Sequence, residues 1–278
     1  KGIDKPKLFF TASERNVGYV IECLADRPID AYTTADAAKF RDWLTDKQLS
    51  TASIKRIFST IRAVLNLTIH EDGLECNNAF AKTFLLSDER PKRATISPEY
   101  IKRIQQVCLD VADERRLLVA LLSDTGMRLS EAIGLVWKDI HLDHEYPHIS
   151  LKTHPWRRLK TAGSKRLIPL VGPALEAIKV MHRQSTTQFL FPSYANENEC
   201  KGNSCSAALN KWLKQYAPDA VIHSFRHSFR DRLRNSGVQS EMIDQLGGWS
   251  NQSVGQGYGN GFNLRELHKS MKLIARQI

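Results

Sequence analysis

The sequence predicts a mainly α-helical protein with two domains: a helical domain over residues 1–90, and a domain over residues 91–278 that is mostly helical with a small antiparallel β-sheet. Apolar residues recur with a period close to 3.6 within residues 54–69, which is typical of an amphipathic helix. Residues 87–93 contain a proline and no apolar residue, and therefore suit an interdomain linker. The helical period is lost within residues 148–169, where short apolar runs indicate strands.

Helices account for most of both domains. In the first domain, residues 34–70 are predicted to be helical. In the second, a helix should begin after Ser97, because Pro98 suits the first helical position. A buried helix around Leu117–Leu122 should end at Gly126, since glycine readily adopts the left-handed conformation of a helix cap. Further helices are predicted over residues 130–135, 174–183, 206–216, 224–235 and 240–246.

Short strands and a terminal helix complete the predicted fold. The strands cover residues 148–151, 159–160 and 165–169, with residues 161–164 turning the chain between the last two. Near the C-terminal end, one apolar stripe recurs at intervals of three and four and consists of Leu264, Leu267, Met271, Ile274 and Ile278. Two interpretations fit this stripe: it packs on its own domain, or it docks on a neighbouring protomer.

Composition and charge restrict the class of protein. Of the 278 residues, 42% are hydrophobic and 25% charged, which is typical of a soluble globular protein, and no apolar run approaches the ~18 residues of a membrane span. Residues 1–150 carry 21 basic and 22 acidic side chains, whereas residues 151–278 carry 19 basic and 8 acidic ones. This asymmetry favours a nucleic-acid partner over a basic enzyme without one. Five cysteines without a paired motif argue against a disulfide scaffold or zinc finger and indicate a reducing cytoplasm.

Three segments could carry chemistry. His223 and Arg226 lie three apart on one helical face, where they could hold a phosphate and move a proton, although residues 227–230 repeat the same tetrapeptide. Residues 255–261 contain four glycines around Tyr258. Residues 125–131 place an arginine directly after a helix stop, with a glutamate one turn later. Each signal is weak alone.

Together and in this order, the three segments resemble the tyrosine site-specific recombinases of the phage integrase family. TGMRLSEAIGLVW is similar to the first arginine box, HSFRHSF to the second, and LGGWSNQSVGQGYG to the nucleophile segment. LKTAGSKRLIPL resembles the lysine hairpin of the family. The resemblance covers about residues 95–262, and it implies that residues 1–90 are a core-binding domain and residues 91–278 the catalytic domain.

The resemblance implies a role for each matching residue. The catalytic set would be Arg128, Lys160, His223, Arg226, Trp249 and Tyr258, with Trp249 at a position more often occupied by histidine. Supporting residues would be Glu131, His227 and Arg230, and DNA contacts would be Lys165 and Arg166. Lys165 and Arg166 also compete with Lys160 for the role of general acid, with Lys160 favoured. Two guanidiniums suit the charge of a phosphodiester, and the phenol, a weak nucleophile, needs help with deprotonation.

The implied function is DNA cleavage and rejoining through a 3′-phosphotyrosyl bond, integrating or excising a mobile element. Alternatives are a type IB topoisomerase-like relaxing enzyme and a non-catalytic DNA-binding regulator. The implied partners are double-stranded DNA, a homotetramer on that DNA, and accessory DNA-bending or excisionase proteins, in a bacterial cytoplasm or nucleoid and without a membrane. No cofactor is expected, and residues 141–148, with His141, Asp143, His144 and His148, are interpreted as a solvated connector in preference to a metal site.

Overall fold

The computed structural model describes residues 7–86, 94–249 and 261–276. By its internal contacts the chain divides into two compact units, Lys1–Pro91 and Lys92–Ile278. Across the described residues both units are mainly helical, and the second contains one three-stranded antiparallel sheet, which confirms the predicted fold class. None of the helices that the structure describes has the length and hydropathy of a transmembrane segment.

The first unit is built from three helices, α1 (Lys7–Leu24), α2 (Thr34–Asp46) and α3 (Thr51–Glu71). Its core is aromatic: the rings of Phe40, Phe58 and Phe80 are fully buried, with centroids 5.5 to 6.1 Å apart. Helices α2 and α3 match the predicted helical stretch to within one residue. Helix α1 was not predicted, because polar Asn16 occupies one of its buried positions while Phe9 and Phe10 are exposed, so the apolar period is weak there.

The second unit begins with α4 (Pro98–Val111), α5 (Glu114–Thr125) and the short α6 (Leu129–Ile133). Helix α4 starts at Pro98, directly after Ser97, as predicted. The later helices are α7 (Gly172–Gln184), α8 (Gly202–Leu213), α9 (Ser224–Asn235), α10 (Ser240–Gly247) and α11 (Leu264–Arg276). Each corresponds to a helix predicted from the sequence, with ends shifted by a few residues.

The sheet consists of β1 (Ile140–His141), β2 (His148–Leu151) and β3 (Arg166–Pro169), in that spatial order. The predicted strand at residues 159–160 is wrong, because these residues lie in no strand. β3 pairs with β2 instead, with His148 opposite Pro169. This pairing buries Ile149 and Ile168 completely. Pairing of β3 with the two residues 159–160 would bury less apolar area and would therefore stabilise the sheet less.

Helix α5 lies at the centre of the second unit, and α4, α7 and α9 pack around it. All its residues from Leu117 to Thr125 are buried, and it ends at Gly126 with φ +60°, as predicted. A Cβ atom at Gly126 would lie 2.4 Å from Cδ1 of Phe229 in α9. Glycine is therefore required both by the left-handed backbone and by the close approach of a ring.

Gly126→Ala should lower the free energy of unfolding by about 2–4 kcal/mol, because left-handed strain adds to the overlap with Phe229. Equilibrium denaturation of both proteins measures the difference. The matched control is Gly202→Ala in the same unit, where the nearest atom would lie 3.9 Å from the new Cβ. That change should alter the free energy by less than about 1 kcal/mol. Equal stability of wild type and Gly126→Ala would contradict the overlap.

The apolar stripe of α11 packs on its own unit. Leu267, Met271 and Ile274 are at most 1% exposed and join one buried cluster with residues of α9 and α10. Nη2 of Arg232 in α9 also donates to the carbonyl of Ile274 at 3.0 Å. Docking of the stripe on a neighbouring protomer therefore does not fit this structure, because its described core positions are already covered within the chain. Ile278 lies outside the described residues.

Candidate functional site

The turn after α5 places Arg128 as the N-cap residue of α6. Glu131, in the first turn of α6, accepts hydrogen bonds from the Arg128 backbone N–H at 2.9 Å and from its guanidinium at 2.5 Å. Nη1 of Arg128 also donates to Oγ of Ser164 at 3.0 Å. Arg128 is thus held through both its backbone and its guanidinium, while 20% of its side chain remains exposed.

Helix α9 brings Arg226 to the same place. Its guanidinium donates to the carbonyl of Gly126, in the turn that precedes Arg128. Arg226 is only 3% exposed, and its Nη2 has no hydrogen-bond partner among the described residues. A buried, unsatisfied guanidinium nitrogen is costly, and it favours an anionic ligand that would accept its hydrogen bond.

The electrostatics of this cluster are dominated by positive charge. Burial and the neighbouring guanidiniums of Arg128 and Arg166 lower the pKa of Arg226 to about 9. Burial alone would raise the pKa of Glu131, but the charge of Arg166 and the hydrogen bonds from Arg128 outweigh it, so the pKa is lowered. Glu131 is therefore ionised, yet its one negative charge faces three guanidiniums.

The ring of Trp249 packs against the guanidinium of Arg226. Its ring lies 4.2 Å from the guanidinium carbon of Arg226 and 4.8 Å from that of Arg230, which are distances of cation–π contact. The ring folds back onto the end of α10, where a Cβ at Gly247 would lie 1.8 Å from it. Gly248 reverses the chain there with φ +63°. The two glycines thus explain how an aromatic residue directly after a helix reaches the arginines.

The segment after Trp249 carries Tyr258, which lies outside the described residues, as do all of residues 250–260. The chain returns at Gly261 and Phe262, next to the end of α10. Gln245 binds Phe262 twice, because its Nε2 donates to the carbonyl at 2.9 Å and its Oε1 accepts from the backbone N–H at 2.8 Å. The described residues on either side of this segment, Trp249 and Phe262, therefore both contact α10.

The repeated tetrapeptide resolves into two different environments. His223 is exposed at the start of α9, and its ring lies 5.2 Å from that of His227. Arg230 forms an ion pair with the buried carboxylate of Asp244 at 2.9 Å, so its charge is compensated. Arg226 contacts the turn before Arg128 instead. Phe225 and Phe229 are core residues.

Lys160 and Lys165 are both exposed, on either side of the short 3₁₀ turn at Ala162–Ser164. The hydroxyl of Ser164 lies 3.0 Å from that of Thr161 and also binds Arg128, so it links this turn to α6. Ser164 was not among the predicted site residues, because an isolated serine in a turn carries no spacing signal. The contact joins the segment of Lys160 to the arginine cluster.

Arg166, which was predicted to contact DNA, is mostly buried and is bound by protein groups. It is 8% exposed, and its guanidinium donates to the carbonyls of Leu246 and Ser164, both at 2.8 Å, and to Glu131 at 3.1 Å. These donors are directed inward, because the β3 position of Arg166 faces the core. Arg166 thus joins α6, the turn before β3 and the end of α10.

The histidine-rich connector has an ordinary packing role. His141 and His148 are cross-strand partners in β1 and β2, with stacked rings 4.6 Å apart, and His144 lies 4.9 Å from His148. Among the residues that the structure describes, no group of three or more histidine, cysteine or acidic side chains is arranged to hold a metal ion.

The second unit is a mainly helical fold around a buried cluster of arginines, a chemistry that suits an anionic ligand. Residues 95–262, more than half of the chain, match the family model described as the phage integrase family. The chain therefore belongs to the phage integrase family, and the resemblance inferred from its motifs is confirmed.

The relatives and the solved structures agree with this family. The tyrosine recombinase XerA of Pyrococcus furiosus is 27% identical over 232 residues, which are 81% of this chain and 76% of the relative. The tyrosine recombinase XerD of Vibrio cholerae is 24% identical over 285 residues, a match that covers 92% of this chain and 88% of the relative. A Tn1549 transposon integrase in complex with a circular intermediate DNA has a TM-score of 0.71 at 19% identity, over 97% of this chain and 94% of that one. A lambda integrase tetramer bound to a Holliday junction has a TM-score of 0.67 at 18% identity, over 91% of this chain and 71% of that one.

Proposed function

We propose that this tyrosine recombinase is a site-specific DNA integrase that cleaves and rejoins DNA through a 3′-phosphotyrosyl intermediate, integrating or excising a mobile element. The observation that carries the proposal is the uncompensated charge at Arg226, whose buried Nη2 has no acceptor among the described residues. A non-bridging phosphate oxygen supplies both the missing acceptor and the missing negative charge.

Each predicted residue has one chemical task in this proposal. Arg128 and Arg226 bind the non-bridging oxygens of the scissile phosphate. The Tyr258 oxygen attacks phosphorus, the bond from phosphorus to O5′ breaks, and a phosphotyrosyl bond replaces it. His223 assists loss of the phenol proton, and Lys160 gives a proton to the leaving O5′. The step needs neither ATP nor metal, because one phosphoester bond replaces another.

Other residues support these groups. Trp249 covers Arg226 and excludes water from one side of the phosphate site. Glu131 holds Arg128, Arg166 in turn holds Glu131, and His227 supports the motif of His223 and Arg226. Lys165, which is exposed beside β3, is the remaining candidate for a contact with the DNA backbone.

Double-stranded DNA is the proposed partner, with four protomers exchanging strands between two duplexes. Support comes from the basic surplus of residues 151–278, and from relatives solved as a tetramer on a Holliday junction and on a circular intermediate DNA. Residues 1–90 are proposed as the core-binding domain and residues 91–278 as the catalytic domain. Accessory DNA-bending or excisionase proteins and a bacterial cytoplasmic location complete the proposal.

The test uses a junction substrate, defined by sequencing the DNA that flanks the gene. A nicked form of this DNA loses a short fragment after cleavage and traps the covalent protein–DNA adduct. Trapping followed by strand transfer to a second duplex supports an integrase. Relaxation of supercoils without strand transfer would identify a topoisomerase, and binding without an adduct a regulator.

Lys160→Ala should reduce cleavage of the normal junction substrate by about 10²–10⁴-fold, because the leaving oxygen no longer receives a proton. A substrate with a 5′-bridging sulfur at the scissile phosphate has a leaving group that needs no proton. It should restore cleavage to within about tenfold of wild type. Lys165→Ala is the comparison: it should weaken DNA binding, as expected for a backbone contact, but at saturating protein its cleavage rate should stay within about tenfold of wild type and should not be rescued by sulfur. Rescue of Lys165→Ala alone would transfer the role of general acid to Lys165.

A further inference from the structure

The tight turn at residues 154–157, His-Pro-Trp-Arg, is a buried polar element that the proposed chemistry does not use. Two backbone hydrogen bonds between His154 and Arg157, both 3.0 Å long, close the turn. These two residues are 7% and 2% exposed. The ring of Trp156 stacks on that of His154 at 4.7 Å, with an angle of 4° between the planes. The turn is therefore fixed by packing as well as by hydrogen bonds.

Two side chains of this turn bind the C-terminal end of α6. Nη1 of Arg157 donates to the carbonyl of Glu131 at 3.0 Å, and Nε1 of Trp156 donates to the carbonyl of Gly134 at 3.1 Å. Carbonyls at a helix C-terminus lack intrahelical partners, and a cation there is favourable. Trp156 and Arg157 therefore act as a side-chain cap on α6.

Asp139 fixes the orientation of this cap. Its carboxylate is fully buried and lies 2.9 Å from Nε2 of His154 and 3.5 Å from Nη2 of Arg157. The stem of Arg157 fits because residue 134 is glycine: a Cβ there would lie 2.7 Å from Cδ of Arg157. The absence of a side chain at Gly134 thus leaves room for Arg157 to reach the end of α6.

Helix α6 needs support from outside, because it is only five residues long and isolated helices shorter than about 12 residues are marginal in water. Arg128 is its N-cap residue, and Glu131 lies in its first turn. A shift or loosening at one end of so short a helix changes the position of the residue at the other end.

We propose that Trp156 and Arg157 are positioning residues for Arg128: by capping the C-terminal end of α6 they hold the guanidinium that binds the scissile phosphate. The inference rests on the proposed function, because it takes Arg128 as a phosphate ligand. The same turn is followed three residues later by Lys160, so an effect on the general acid is the competing explanation that the test must separate.

The variants are Trp156→Phe, which keeps the ring but removes its donor, and Arg157→Lys, which keeps the charge but removes the guanidinium fork. The matched control is Trp137→Phe in the same unit, because Nε1 of Trp137 has no hydrogen-bond partner among the described residues. Single-turnover cleavage of the junction substrate should fall about five- to tenfold in Trp156→Phe and at least about tenfold in Arg157→Lys. DNA affinity should change by less than about twofold, and the control should cleave like wild type.

Two further readouts separate positioning from general damage. The sulfur substrate should leave the Trp156→Phe defect in place, and the defect should shrink to about twofold or less in an Arg128→Ala background, since the effect passes through Arg128. Rescue by sulfur would overturn the proposal in favour of Lys160. An undiminished defect in the Arg128→Ala background would indicate unspecific destabilisation and also overturn it.

Hydrogen exchange tests the cap independently of cleavage. Amides of residues 129–135 should exchange at least about tenfold faster in Trp156→Phe than in wild type, while those of α5 remain unchanged. Unchanged exchange at α6 would overturn the proposal even if the wild type formed no covalent adduct. A missing wild-type adduct with faster exchange at α6 would instead refute the proposed function and retain the cap.

Discussion

Tyr258→Phe is expected to abolish the covalent protein–DNA adduct while leaving DNA binding within about twofold of wild type. Removing one hydroxyl group takes away the only atom that forms the proposed bond to phosphorus, so cleavage should fall by at least about 10⁴-fold. The arginines that are proposed to hold the phosphate are unchanged in this variant. A denaturing gel with labelled, nicked junction substrate measures the adduct, and a binding titration on intact DNA measures affinity.

The matched control for this variant is another tyrosine in the same unit. Tyr216→Phe changes a residue whose ring packs on Trp212 in α8, 5.0 Å away, and it should form the adduct at the wild-type rate. An adduct that survives in Tyr258→Phe would mean that the nucleophile is a different residue. Loss of DNA binding in the same variant would mean that Tyr258 contributes to affinity and not only to chemistry.

Arg226→Met should combine a large loss of cleavage with no loss of stability. Removal of one charged donor from a phosphate site typically costs about 10²–10³-fold in rate. The lowered pKa of Arg226 means that the folded chain holds this proton less tightly than the unfolded chain does. Charged Arg226 therefore destabilises the fold at every pH below about 9, and replacing it with a flexible apolar side chain removes that cost.

Arg230→Met on the same helix is the control for this argument. Both arginines lie against the ring of Trp249, but Arg230 also pairs with the buried carboxylate of Asp244. Its loss should lower the free energy of unfolding by about 1–3 kcal/mol. Denaturation at neutral pH and a cleavage assay on each variant give the comparison. If Arg226→Met were destabilised as much as Arg230→Met, the charge of Arg226 would already be compensated in the protein without DNA.

Regular elements with strong local signals were predictable from the sequence. The end of α5 at Gly126 and the start of α4 at Pro98 depend on residues whose backbone preferences act locally. Helix α1 was not predicted, because its buried face includes the polar Asn16 and its apolar period is therefore weak. The strand at residues 159–160 was wrong, because the pairing of β3 was decided by distant burial and not by the nearest turn.

The candidate site was predictable in part, for a similar reason. Motif spacing selected Arg128, Arg226 and Trp249, and the structure brings these three side chains into one cluster around the turn at Gly126. Spacing does not indicate which arginine faces inward, and so Arg166 was taken for a DNA contact. The cap formed by Trp156 and Arg157 left no sequence signal, because it depends on carbonyls twenty or more residues away.

The double hydrogen bond between Gln245 and Phe262 fixes the point at which the described chain resumes after Tyr258, the proposed nucleophile. Only three peptide steps separate Tyr258 from Gly261, and a fully extended chain covers about 3.6 Å per residue. The covalent chain therefore keeps the Cα atom of Tyr258 within about 11 Å of that of Gly261, and the Gln245 contact holds the next residue, Phe262, at α10. With Tyr258 as the proposed nucleophile, the Gln245 contact therefore sets an upper limit on the distance between the reactive residue and the end of α10.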